Sequence, residues 1–146
     1  MKEVTGDLWA YHAQGAWVVI TTNGIVAARG TAVMGRGVAQ QAAQRFPLLP
    51  RALAMNLTQS GNHVYAFPFC RVITFPVKAH WRDRAAPGLI RQSVKELVDL
   101  VDAGGGVPLP VYLVRPGCGN GGLRWAAVKP LLAPLDDRFV VVEETP

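Results

Sequence analysis

Three stretches of the chain are apolar and β-branched almost without interruption: Trp17 to Thr22, Leu109 to Val114 and Phe139 to Val142. Runs of this kind fit strands buried on both faces, which need helices on either side of the sheet. His63 to Phe67 and Arg71 to Phe75 are two shorter strand candidates, and Pro68-Phe69-Cys70 between them predicts a hairpin. Helical spacing recurs in Val38, Ala39, Ala42, Ala43 and Phe46, which Pro47 ends. It recurs more strongly in Leu89, Ile90, Val94, Leu97, Val98 and Val101, with Pro87 in the first turn and Gly104-Gly105-Gly106 past the end. A third helix is expected over Leu123 to Leu135, distorted by Pro130. With a first strand ending at Gly6, the order is strand, strand, helix, strand, strand, helix, strand, helix, strand. That alternation predicts one α/β domain spanning residues 1–146, a three-layer α/β/α sandwich around a mixed central sheet.

Composition narrows the class. Half of the 146 residues are hydrophobic and 17% are charged, against about 25% in an average protein, which excludes a disordered chain or a coiled coil. Two cysteines, Cys70 and Cys118, make neither a disulfide framework nor a metal-spaced pair, and a reducing compartment follows. His12 and His63 have no partner pattern, so no metal is expected. The window from Leu8 to Ala28 lacks charges but is broken by His12, Gln14, Thr21, Thr22 and Asn23, so the expectation is a cytoplasmic, monomeric protein without a membrane span. Charge is uneven: residues 29–95 hold ten Lys/Arg and one acid, Asp83, whereas the rest of the chain is net acidic. A basic middle favours an anionic partner such as phosphates or nucleic acid.

In open α/β sheets ligands sit beyond the C-terminal ends of the strands, and three loops there carry chemistry. After Thr22-Asn23, the stretch Met34-Gly35-Arg36-Gly37 precedes a helix, so its backbone N–H groups can approach an anion at the helix's positive end. It lacks the Lys-Ser/Thr of a P-loop. After the strand ending near Val114, Arg115-Pro116-Gly117-Cys118-Gly119-Asn120-Gly121-Gly122-Leu123 places four glycines in six residues and predicts a second anion-binding turn. Two such loops at adjacent strand ends suit a pyrophosphate. The third, Phe75-Pro76-Val77-Lys78-Ala79-His80-Trp81, offers Lys78 as a nucleophile or an electrostatic partner for phosphate.

Together, Gly6-Asp7-Leu8, Asn23 with the Val33 to Ala39 loop, Phe75 to Trp81, and Gly117 to Trp125 resemble a macrodomain. Within that family the chain is most similar to the branch of the terminal ADP-ribose protein glycohydrolase and the macrodomain antitoxin of the DNA ADP-ribosylation toxin–antitoxin system. The resemblance implies ADP-ribose as ligand and no cofactor. It implies Asp7 on the adenine amino group, with the Leu8 backbone beside it, and Asn23 (after Thr22) on the distal ribose. Met34 to Gly37 and Pro116 to Leu123 are implied on the diphosphate, and Lys78 as the catalytic group at C1'' of the distal ribose. The protein-directed glycohydrolase carries an acid within the second loop where this chain has Gly121, and the Gly-Gly-Leu pattern there matches the antitoxin. The expectation is an ADP-ribosyl hydrolase acting on modified nucleic acid, single-stranded in the simplest case, or on protein. The rivals are a reader that binds ADP-ribose without turnover and an ADP-ribose 1''-phosphate phosphatase.

Overall fold

The run at Trp17 to Thr22 supplies β2 (Val18–Thr22), an interior strand of a six-stranded sheet in a computed structural model that describes residues 1–145. The other strands are β1 (Lys2–Gly6), β3 (Tyr65–Phe67), β4 (Val72–Pro76), β5 (Val111–Val114) and β6 (Phe139–Glu144), in spatial order β1-β6-β5-β2-β4-β3. All neighbours are parallel except β3, which returns antiparallel on β4 with Tyr65 opposite Thr74, as the hairpin reading expects.

Alternate residues of each interior strand face opposite layers. Val18 and Ile20 of β2 pack with Leu8, Ala42, Leu49 and Leu53 beneath α1 (Leu8–Ala13), α2 (Gly37–Arg45) and α3 (Leu49–Ser60). Val19, with Ile73, Phe75, Leu113 and Phe139, packs on the other face against Ile90, Val94 and Leu97 of α4 (Pro87–Asp102) and Val128 of α5 (Trp125–Val128). The three-layer expectation holds, and two of its helices were not expected. In α3 the buried Leu49, Leu53, Ala54 and Leu57 form a helical stripe, and Pro50 sits in the first turn where its missing N–H costs nothing. The expected third helix shrinks to α5 and a 3-10 turn at Lys129–Leu132, because Pro130 removes an amide from the ladder. No helix of the described residues is long and apolar enough to cross a membrane.

α1 begins with Asp7, whose carboxylate caps the helix by accepting from Trp9 N at 3.0 Å. It buries His12, whose Nε2 lies 2.7 Å from the carbonyl oxygen of Cys70. A carbonyl only accepts, so Nε2 carries the hydrogen, leaving Nδ1 to face Arg71 Nη2 at 3.5 Å. Burial, aided by the charges of Arg71 and Arg45 and opposed by the Cys70 bond, lowers the pKa of His12. As pH falls below about 6.5 the unfolded chain therefore takes up the proton first and stability declines. His12→Gln, which keeps a donor to Cys70, is expected to lose less stability than wild type between about pH 7 and about pH 5. Equal losses in chemical denaturation would clear His12 of a part in acid sensitivity.

Candidate functional site

The chain leaves β2 towards the layer of α1 to α3 and leaves β5 towards α5 on the opposite layer. Their loops part at adjacent strand ends, which opens a crevice there. A cavity of about 500 Å³ fills it, within the range of small-molecule sites. One wall is Met34, Gly35, Arg36 and Gly37 at the start of α2, and the facing wall is Gly117, Cys118, Gly119, Asn120 and Gly121. Thr22 and Asn23 form the floor, and Lys78 and Trp81 lie towards β4.

Unpaired backbone N–H groups line both walls. Arg36 caps α2 without a side-chain bond, and the amides of residues 35–39 donate to no acceptor among the described residues. In the facing loop, Cys118 N, Gly122 N and Leu123 N close turns onto Arg115 O, Gly119 O and Gly117 O, whereas the amides of 119–121 stay free. The helix after this loop has only four residues, so what the loop presents to the cavity is its turn amides and not the helix dipole that the sequence suggested. The walls nearly meet: a Cβ on Gly37, whose φ is +57°, would come within 2.8 Å of Asn120 Nδ2.

Lys78 sits on a loop tied to each neighbour. Val77 N donates to Thr22 O, Gly24 N to Ala79 O, Asn62 Nδ2 to Lys78 O and Ala85 N to Gly121 O, at 2.9–3.3 Å. Ser93 Oγ donates to Pro76 O at 2.7 Å and pins α4 to the same strand end. Among the described residues the Lys78 amine is held by the Asp83 carbonyl alone, at 3.2 Å. Asn23 spends its side chain on the floor, with Nδ2 donating to Val33 O and Oδ1 accepting from Ile25 N, which leaves one N–H towards the cavity. Burial pushes the Cys118 thiol up, which makes it a poor nucleophile.

The macrodomain of Thermus aquaticus DarG is similar to this chain over 99% of its residues and 97% of that protein, with a TM-score of 0.76 and 29% identity. The chain folds as a macrodomain. The macrodomain of Mycobacterium tuberculosis DarG, at 23% identity, matches over 99% of this macrodomain and 97% of its own chain with a TM-score of 0.77. Thermosipho africanus DarTG, solved in complex with ADP-ribose, matches with a TM-score of 0.77 and 20% identity; this macrodomain spans 42% of that longer chain. No protein-family model and no curated protein matches.

In this macrodomain, the residues singled out from sequence divide into two groups. Thr22, Asn23, Met34 to Gly37, Lys78, Gly117, Cys118, Gly119, Asn120 and Gly121 share one cavity. Asp7, Leu8, Pro116, Gly122 and Leu123 do not line it. Pro116 is buried behind the glycine loop, and the Gly122 carbonyl accepts from Arg84 Nη2 at 2.8 Å. Asp7 and Leu8 lie next to Glu144, a cavity residue at the end of β6. Burial and the neighbouring Asp7 charge raise the pKa of Glu144. Sequence reasoning missed Thr21, Val114, Val142, Glu143 and Glu144. Those at the ends of β5 and β6 obey the same strand-end rule but are recognisable only once the strand order is known.

Proposed function

We propose that this macrodomain binds ADP-ribose along the cavity and hydrolyses the bond between C1'' of its distal ribose and a base of a single-stranded nucleic acid. The observation that carries the reading is the lysine: Lys78 stands in the same cavity as two walls of unpaired amides, at the end away from Asp7. From β1 to β4 the strand ends span about 19 Å at the ~4.8 Å spacing of paired strands, room for a ligand with a diphosphate at its middle. The ADP-ribose bound to Thermosipho africanus DarTG supports this choice of ligand. Adenine lies towards Asp7 and Leu8. The diphosphate lies between the amides of 35–39 and 119–121. The Lys78 amine engages C1'' as the bond to the modified base breaks, the base departs with the bonding electrons, and water supplies the oxygen that ends on C1''.

Nucleic acid is preferred to protein because of the rim. Arg36 and Arg82 are exposed beside the cavity, and Arg82 packs its guanidinium 5.7 Å from the Trp81 ring centroid. Arg84 is spoken for by Gly122 O and is left out of the test. ADP-ribosylated single-stranded DNA, ADP-ribosylated protein and ADP-ribose 1''-phosphate are incubated with the enzyme side by side, and the expected turnover is of the DNA. Binding of that DNA is expected to weaken more steeply with salt than binding of ADP-ribose, by about 0.7 in log–log slope for each phosphate contacted. Arg36→Ala with Arg82→Ala reduces the difference. Binding without turnover of any substrate makes the protein a reader, and equal salt slopes remove the nucleic acid.

A further inference from the structure

Trp81 is one of the few large hydrophobic residues left in the open, at 49% exposure, and it is the one of them that lines the cavity. An indole so placed forgoes burial that most tryptophans find, unless a partner covers it. Its surroundings select the partner. His80 packs tilted on it at 5.1 Å between centroids, Arg82 lies over it, and Lys78 is three residues away with Arg36 in the same cavity. The acid of this loop, Asp83, has its backbone carbonyl turned to the Lys78 amine. A flat aromatic among cations is the pairing that single-stranded nucleic acids meet on proteins, bases on rings and phosphates on guanidinium groups.

We propose that Trp81 is a stacking platform for a nucleobase adjacent to the modified nucleotide, so that the strand is gripped by a neighbour as well as by its ADP-ribose. This rests on the nucleic-acid reading above. The loop suits a platform because its ends are fixed by Val77 N to Thr22 O and Ala85 N to Gly121 O, and Asp83 N donates to His80 O across the turn at 3.1 Å. The indole therefore keeps its position relative to Lys78, and a base stacked on it sets the distance at which the modified nucleotide presents C1''. Stacking is tolerant of base identity, so the platform favours a strand over a lone nucleotide without choosing its sequence.

The test is a cycle between protein and strand. Wild type, Trp81→Ala and Trp81→Phe are titrated with an ADP-ribosylated single-stranded DNA and with the same strand carrying abasic sugars on both sides of the modified nucleotide, which keeps every phosphate. Wild type is expected to bind the abasic strand about tenfold more weakly. Trp81→Ala, with melting unchanged, binds both strands alike, and Trp81→Phe restores most of the difference. Wild type that ignores the abasic sugars overturns the platform, and so does an alanine variant that loses as much as wild type. If the intact strand then still shows a steeper salt slope than ADP-ribose, the nucleic-acid reading stands without the platform. If strand and ADP-ribose bind wild type alike at every salt concentration, both fall.

Discussion

Lys78→Ala is expected to lower turnover of the ADP-ribosylated substrate by about 10² or more while ADP-ribose affinity stays within about tenfold. A group that acts as the bond to C1'' breaks contributes to the barrier and little to ground-state binding, and 10² in rate is about 2.7 kcal/mol of barrier. The fold gives the variant a clean background. The loop is fixed through the backbone of Val77, Lys78, Ala79 and Ala85, and the amine itself makes one bond, to the Asp83 carbonyl. Lys78→Arg separates the two ways the lysine can act. It keeps the positive charge but removes the amine as a nucleophile, so a variant that stays near wild type assigns Lys78 an electrostatic part and one as slow as alanine assigns it the attack. Unchanged turnover in Lys78→Ala would take the residue out of the mechanism.

Gly119→Glu is expected to weaken ADP-ribose binding by about 30-fold or more, which corresponds to roughly 2 kcal/mol. Nothing lies within 4 Å of a Cβ built at this position, so the side chain fits without disturbing the loop and puts a carboxylate among the free amides of 119–121. Gly37→Glu reaches the same end at a cost in folding, since φ there is +57° and Asn120 must move. Gly105→Glu, in equally open space on the far side of α4, is the matched control and is expected to bind as wild type does. Calorimetry on the three variants, each with its melting temperature, decides the matter. Unchanged affinity in both cavity variants would move the diphosphate elsewhere.

The parts of the fold that could be read from sequence are those with a long, regular apolar pattern. β2, β5 and β6 announce themselves because their apolar runs are buried or half-buried on both faces, and α4 because its stripe is framed by Pro87 and Gly104. α3 stayed hidden because Pro50 reads as a breaker until the helix is known to start one residue before it. α1 stayed hidden because six residues make under two turns and one of its buried side chains is His12, held in place by a carbonyl 58 residues away. The cavity divides the same way. Its glycine walls and Lys78 are local patterns, whereas Val142 and Glu144 enter it through strand order, which is set by long-range pairing of β6 between β1 and β5.

Gly121 has a consequence for how this loop can change over generations. A Cβ there would stand 2.5 Å from the Gly117 carbonyl oxygen and 2.7 Å from Gly117 Cα, and the obstacle is main chain, which no rotamer change relieves. The acid that the resembling protein-directed glycohydrolase carries at the matching place thus cannot enter here as a single substitution without moving the Gly117 main chain. A library that randomises residue 121 alone should return glycine. Libraries seeking an acid-bearing loop must vary residues 117–122 as one cassette, so that the turn is redrawn before the side chain arrives.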